Sequence, residues 1–144
     1  GVHAEPLRIV MYGHYDVVDI NNAKRWISPP FTLTGRNGFL YGRGTTDNKG
    51  PIMVFLYAIR ELLQEIDSEQ LGGIEIVMLI EGQEEHDWKN GGLKEVVSKN
   101  MDWLQRSKLI ICSNSYWLTN DVPCLVYGMR GHLRLKVEVT GSSK

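Results

Sequence analysis

Four short stretches hold most of the side chains that could grip a cation or move a proton. Gly13-His14-Tyr15-Asp16 carries an imidazole and a carboxylate two residues apart. In an extended segment such residues point the same way. A metal-bound imidazole commonly donates its second ring N–H to a carboxylate, which fixes the tautomer and raises the basicity of the ligating nitrogen. His14 and Asp16 have the spacing for that pairing, although a surface His beside an Asp is also common. Gly42-Arg43-Gly44-Thr45-Thr46-Asp47-Asn48-Lys49-Gly50 surrounds Asp47 with residues of little bulk. One carboxylate can bridge two cations, and hydrolases with two metals hold them about 3.5–4 Å apart. The plainer alternative makes Asp47 a helix-start residue.

Glu81-Gly82-Gln83-Glu84-Glu85 is the third stretch. Adjacent residues of an extended chain face opposite sides, so one of Glu84 and Glu85 could coordinate while the other accepts a proton. A solvated acidic loop is the ordinary meaning of such a pair. Ser113-Asn114-Ser115 adds an amide oxygen.

The elements that must position these groups are legible from periodicity. Leu7 to Tyr12, Ile74 to Ile80 and Leu109 to Cys112 are short apolar runs that read as buried strands. Each one runs directly into a polar stretch. Phe31-Thr32-Leu33 and Phe39-Leu40-Tyr41 flank Asn37-Gly38, a strong hairpin signal. From Lys49 to Ile66, the residues Ile52, Phe55, Ile59, Leu62 and Ile66 recur at spacings of three and four, one face of an amphipathic helix. Pro51 falls in its first turn, where a missing N–H does no harm. Gly91 to Lys99 reads as a short helix, and Leu133 to Val139 alternates as a half-exposed strand. Strands alternating with helices predict crossover units and a largely parallel sheet packed between helices. Ligands of such sheets bind outside the carboxyl ends of the strands, where three of the polar stretches lie, and the fourth brings Asp47 into the loop just before the long helix.

Bulk composition narrows the classes. With 42% hydrophobic and 23% charged residues, the 144-residue chain is not a disordered tail. A net charge of −1 gives no electrostatic footprint for nucleic acid or an anionic membrane. No apolar run is long enough to span a bilayer, and the first residues are not a signal peptide. The chain does not begin with Met, which predicts a piece of something longer. Cys112 and Cys124 read as two buried free thiols of a reducing compartment. Trp26, Trp88, Trp103 and Trp117 read as packing residues, His3, His86 and His132 as exposed ones, and Lys49 as a support for its loop. Arg130 reads equally as a substrate-carboxylate group or as half of an ion pair.

GHYDVV at 13–18, LYGRGTTDNKGP at 40–51, IEGQEE at 80–85, SNSYWL at 113–118 and VPCLVYGMRG at 122–131 together resemble one family. It is the aminoacylase, carnosinase, cytosolic dipeptidase and carboxypeptidase family of cocatalytic, dinuclear metallopeptidases. The likeness covers nearly the whole chain. It is closest to the dipeptidase and carnosinase branch, and within that to the fungal peptidase-like subunit of a glutathione-degradation complex.

The resemblance implies an α/β three-layer sandwich with a mostly parallel, mixed sheet between helices. Residues 1–144 would be the N-terminal part of the catalytic domain. The C-terminal part and a lid domain that makes a homodimer would lie outside the chain. It implies a cytoplasmic hydrolase of small peptides with two Zn2+ per complete site, or Mn2+ or Co2+ in their place. By position, His14 would be a ligand of the first metal, Asp16 its partner, Asp47 the bridging carboxylate, Glu84 the general base and Glu85 a ligand of the second metal. Asn114 departs from the pattern, because the family usually has Asp there as a ligand. A neutral amide oxygen lacks the charge that helps to hold a divalent cation. A weakly metal-binding, non-catalytic subunit that pairs with a glutamine-amidotransferase-class partner is therefore the alternative. The resemblance also implies that the isolated chain, lacking ligands, is inactive.

Overall fold

The computed structural model describes residues 5–67, 73–86, 92–114 and 119–141. They fall into two units, Gly1–Asn114 and Ser115–Lys144.

The first unit is built on three parallel strands. β1 (Leu7–His14) lies in the middle, with β4 (Ile74–Glu81) on one side and β5 (Ser107–Cys112) on the other. Leu7 pairs with Ile74 and the register runs without a slip to His14 opposite Glu81. On the other edge Tyr12 lies opposite Cys112. The three apolar runs thus become strands, and all three leave the sheet at the same rim, but β5 is an edge strand and not buried as expected, with Leu109 50% and Ile110 65% exposed.

Between β1 and β4 the chain makes a 3-10 turn at Ala23–Arg25, a hairpin and a long helix. The hairpin pairs β2 (Thr34–Arg36) with β3 (Phe39–Tyr41) as a separate antiparallel sheet. Its turn residues Asn37 and Gly38 have φ of 52° and 80°, the left-handed pair a two-residue hairpin loop needs. The first strand lies three residues later than the expected Phe31-Thr32-Leu33. The tight turn pairs Arg36 with Phe39, so the residues that flank it become the strand whatever their polarity.

α1 (Lys49–Glu65) packs on β1. Ile52 is its buried residue, and Phe55, Ile59 and Ile66 continue the same stripe half-buried. Val10, Met11, Ile52 and Val77 are the buried large apolar residues described. Two helices follow β4, α2 (Gly92–Lys99) and the short α3 (Met101–Leu104). α2 matches the expected helix except that Gly91 lies outside the described residues. α3 was not anticipated.

Arg8 is nearly buried, paired with Glu75 at 2.8 Å, and bonded to the Trp103 carbonyl. Its guanidinium stacks over the Trp103 ring at 4.7 Å, and Arg43 covers Trp26 at 5.4 Å. Both tryptophans therefore pack, as expected. Trp88, Trp117 and His3 lie outside the described residues.

In the second unit, residues 119–141 hold no helix or strand. The expected strand at Leu133 to Val139 is absent there, and Leu133, Leu135, Val137 and Val139 are all exposed. Alternation states which face of a strand would be apolar, but a strand forms only where a neighbour takes its hydrogen bonds. His132 and Arg130 are exposed in this segment. The expectation of buried thiols is also corrected. Both cysteines are free, but Cys112 is exposed on the edge strand β5 and Cys124 is half-buried. No helix described is long and apolar enough to cross a membrane.

Candidate metal centre

His14 is the last residue of the central strand, level with Glu81. The Tyr15 N–H donates to the Glu81 carbonyl at 2.9 Å, extending the ladder one residue past the strand. The Glu84-Glu85 segment therefore leaves beside His14, and Ser113 and Asn114 emerge beside it from β5. The start of α1 presses against the same rim. A Cβ on Gly13 would come within 2.7 Å of both Asn48 Oδ1 and Ile52 Cγ1, so glycine is what lets the helix approach the strand.

The His14 side chain is 1% exposed, and both ring nitrogens face oxygen. Nδ1 lies 3.2 Å from the Asp16 carbonyl and 3.5 Å from Asp16 Oδ1. Nε2 lies 2.9 Å from Asp47 Oδ1 and 3.9 Å from Glu84 Oε2. A neutral imidazole has one N–H and so can serve only one of these two acceptors. Burial by itself lowers the His14 pKa, but the Asp16 carbonyl and the charges of Asp47 and Glu84 outweigh it, and the pKa rises above its usual value. The site calls for positive charge between Nε2 and Asp47. A proton can supply it, and so can a cation.

The same geometry tests the fit of a metal. With Nδ1–H donating to Asp16, the Nε2 lone pair is free to ligate. Two donors on one tetrahedral zinc, each about 2.0–2.2 Å away, stand roughly 3.3 Å apart. The observed 2.9 Å between Nε2 and Oδ1 is a few tenths shorter, as expected where a proton holds the two atoms together. The donors are nitrogen and oxygen, which suit zinc and tolerate manganese or cobalt. Asp16 Oδ1 is buried without a hydrogen-bond partner, next to the imidazole it would orient.

The candidate residues are gathered to different degrees. His14, Asp47 and Glu84 converge. The Asp16 side chain is 8% exposed, and its Oδ2 accepts the Glu85 N–H at 2.9 Å, tying the acidic loop to β1. Burial raises the Asp16 pKa, but the backbone N–H groups of Glu85 and Glu84 outweigh it and hold the carboxyl below its usual value. Glu84 is held above the usual carboxylate value by burial and by the charges of Glu85, Asp47 and Asp16, against the opposing pull of His14. The Glu85 carboxylate makes no ion pair with His14, and Asn114 reaches the centre only through Asn48. Among the described residues, no three His, Cys, Asp or Glu groups form a ready ligand cluster.

Asn48 is a central residue to which the sequence reading gave no role. It is fully buried, and the peptide bond joining it to Asp47 is cis. Its Oδ1 accepts the His14 N–H at 3.0 Å, and its Nδ2 donates to the Ser113 carbonyl and to Asn114 Oδ1. Two further contacts were missed. Tyr12 donates to the buried Glu81 at 2.6 Å, and its pKa is raised by burial and by that carboxylate. His86 is exposed as expected, yet its Nδ1 lies 3.3 Å from Asp16 Oδ2.

The chain is 38% identical over 143 residues to "Probable di- and tripeptidase DUG2" of Saccharomyces cerevisiae, covering 94% of this chain and 15% of that protein. It is 32% identical to "Cys-Gly metallodipeptidase dug1" of Schizosaccharomyces pombe, covering 94% and 28%. The crystal structure of human carnosine dipeptidase 1 superposes with a TM-score of 0.66 at 32% identity, over 82% of this chain and 24% of that one. The chain thus spans less than a third of the length of each. Residues 10–142 match the family described as Peptidase family M20/M25/M40, and the chain, an α/β unit with the parallel sheet of that family's catalytic domain, belongs to it.

Proposed function

We propose that the protein is a metal-dependent hydrolase of small peptides and that this chain carries part of its catalytic domain. The observation that carries the reading is the buried His14 imidazole with Asp47 Oδ1 2.9 Å and Glu84 Oε2 3.9 Å from one ring nitrogen. His14 and Asp47 would hold the first cation, with Asp47 shared with a second. Glu85 would be a ligand of the second cation, and Asn114 a weak ligand of the first. Asp16 orients His14. Zinc is the preferred ion, with manganese or cobalt as substitutes.

When bound, the divalent cations supply positive charge that polarises a peptide carbonyl and acidifies water. Glu84 takes the proton from the attacking water and returns it to the leaving amine. Its raised pKa suits that exchange, because a general base works best when its pKa lies near the working pH. The names of the two fungal relatives support di- or tripeptides, Cys-Gly among them, as substrates and hence a part in glutathione breakdown. Free thiols at Cys112 and Cys124 are consistent with a reducing, cytoplasmic setting.

The test is hydrolysis of Cys-Gly by the full-length protein with Zn2+ or Mn2+. Glu84→Gln is expected to lower kcat by about 10²–10⁴ with little change in metal content. Unchanged turnover would remove Glu84 from the mechanism.

A further inference from the structure

One buried side chain ties two other segments of the rim to its own. Asn48 directly follows Asp47, is 0% exposed, and reaches both the end of β1 and the segment after β5. A side-chain amide offers one acceptor oxygen and two donor hydrogens. Here the oxygen accepts the His14 N–H at 3.0 Å, one bond goes to the Ser113 carbonyl, and the other reaches Asn114 Oδ1 at 3.3 Å. Asp would present no donor to the last two oxygens, Ser would present one, and Leu would present none. Asn at a helix start ordinarily caps the helix. Asn48 makes no capping bond, so its amide is spent entirely on the neighbouring segments.

The segments it joins carry three of the candidate ligands. His14 is held through its own backbone, Asp47 through the adjoining peptide bond, and Asn114 through its side-chain oxygen. Gly13 leaves the space into which the Asn48 oxygen fits. We propose that Asn48 is a positioning residue of the metal centre, whose buried amide holds His14, Asp47 and Asn114 at one mutual spacing and keeps the Asn114 oxygen in a fixed place. The claim rests on the reading of this rim as a metal centre and adds a residue that sets its geometry.

The test uses the purified protein titrated with Co2+, whose visible absorption reports coordination geometry. Asn48→Asp keeps the size of the side chain but sets a carboxylate against two oxygens. Asn48→Ser keeps a single donor. Asn48→Asp is expected to weaken Co2+ binding at least tenfold and to change the spectrum of the ion that still binds, with Asn48→Ser in between. Hydrogen exchange at the His14 amide should quicken more than at Val10 of the same strand. Variants that only lower the unfolding temperature, with Co2+ affinity and spectrum unchanged, overturn the proposal. If Asn48→Asp does not fold, Asn48→Ser decides by the same two readouts. A parent protein that takes up no Co2+ overturns the metal-centre reading itself, whereas uptake shared equally by parent and variants overturns only the role of Asn48.

Discussion

The imidazole of His14 and the carboxylate of Asp47 meet at 2.9 Å, although one ends a strand and the other precedes a helix 33 residues later. The imidazole is sealed at 1% exposure, while the Asp47 side chain is 45% exposed, so the contact is reached from solvent on the Asp47 side. In the metal-free protein the raised pKa of His14 keeps a proton on the ring beyond the usual pH. That proton stabilises the metal-free fold below about pH 6.5, and the contribution is lost as pH rises through the raised value.

A cation must displace the same proton. Zn2+ affinity is therefore expected to climb as pH rises through the raised value and to level off above it, with protons released on binding near neutrality. Calorimetry in two buffers of different ionisation enthalpy counts those protons. Binding near pH 6.5 without net release would show that the cation does not take the proton's place.

Arg8 is predicted to matter for stability and not for the metal. It sits at the far end of β1 from His14, paired with Glu75 at 2.8 Å and stacked on Trp103. Arg8→Met leaves the Glu75 carboxylate and the Trp103 carbonyl without their donor. Because Glu75 is 34% exposed, water offsets part of the loss, and the cost is expected near 2–3 kcal/mol rather than the larger value for a fully buried pair. Urea unfolding measures it. Arg8→Lys should recover little, because a single ammonium cannot bond the carboxylate and the carbonyl while stacking on the ring. Metal affinity should not move.

The strands and the long helix were legible because each is written in a pattern that one element alone determines. Leu7 to Tyr12 is a mostly apolar run whose middle, Val10 and Met11, is buried, and Ile52, Phe55 and Ile59 mark one side of a helix that has Pro51 in its first turn. The hairpin turn was legible in Asn37-Gly38, but its first strand was not. Apolar Phe31-Thr32-Leu33 looks more strand-like than Thr34-Gly35-Arg36, and only pairing across the turn decides between them. Leu133 to Val139 alternates well and still forms no strand, because periodicity does not reveal whether a partner edge is there. His14 and Asp16 stood out by their types and their place after a strand, Asp47 by its loop before the long helix, and Glu84 only as one of an acidic pair whose two roles the family resemblance told apart. Asn48 was not, because an amide before a helix has a local explanation as a cap, whereas its bonds run to residues 34 and 66 positions away.

Gly50 gives a prediction opposite to the usual rule. Replacing a helical glycine by alanine normally stabilises by about 1 kcal/mol. A Cβ at Gly50 would fall on the carbonyl oxygen of Thr45, backbone that cannot swing aside as a side chain can. Gly50→Ala must push the segment before α1 outward, and is expected to destabilise by about 1–3 kcal/mol. Because that segment carries Asp47, metal affinity should fall in parallel. Denaturant unfolding together with a Zn2+ titration checks both, and a stabilised variant with normal affinity would refute the packing argument.

Asp16 separates charge from shape. Its Oδ2 accepts the Glu85 N–H and so fixes the acidic loop, while its Oδ1 stands 3.5 Å from His14 Nδ1, close enough to place a negative charge behind the imidazole that the Asp16 carbonyl orients. Asp16→Asn preserves the outline but removes the charge and turns one oxygen into a donor. That donor would face either the Glu85 N–H or the imidazole N–H, both already donors. The loss of a carboxylate behind a ligating histidine typically costs 10–100-fold in metal affinity, and a drop of that size is expected here. The depressed pKa of Asp16 predicts a second signature. Its ionised form stabilises the fold above the unfolded value of 3.8, and the contribution disappears as pH falls through the lower folded value. Metal-free protein unfolded by denaturant at neutral pH and again near pH 3 should therefore lose more stability than Asp16→Asn does over the same interval. Parallel losses in the two proteins would mean that the carboxylate is not held ionised by the Glu85 and Glu84 amides, and its orienting role would fall with it.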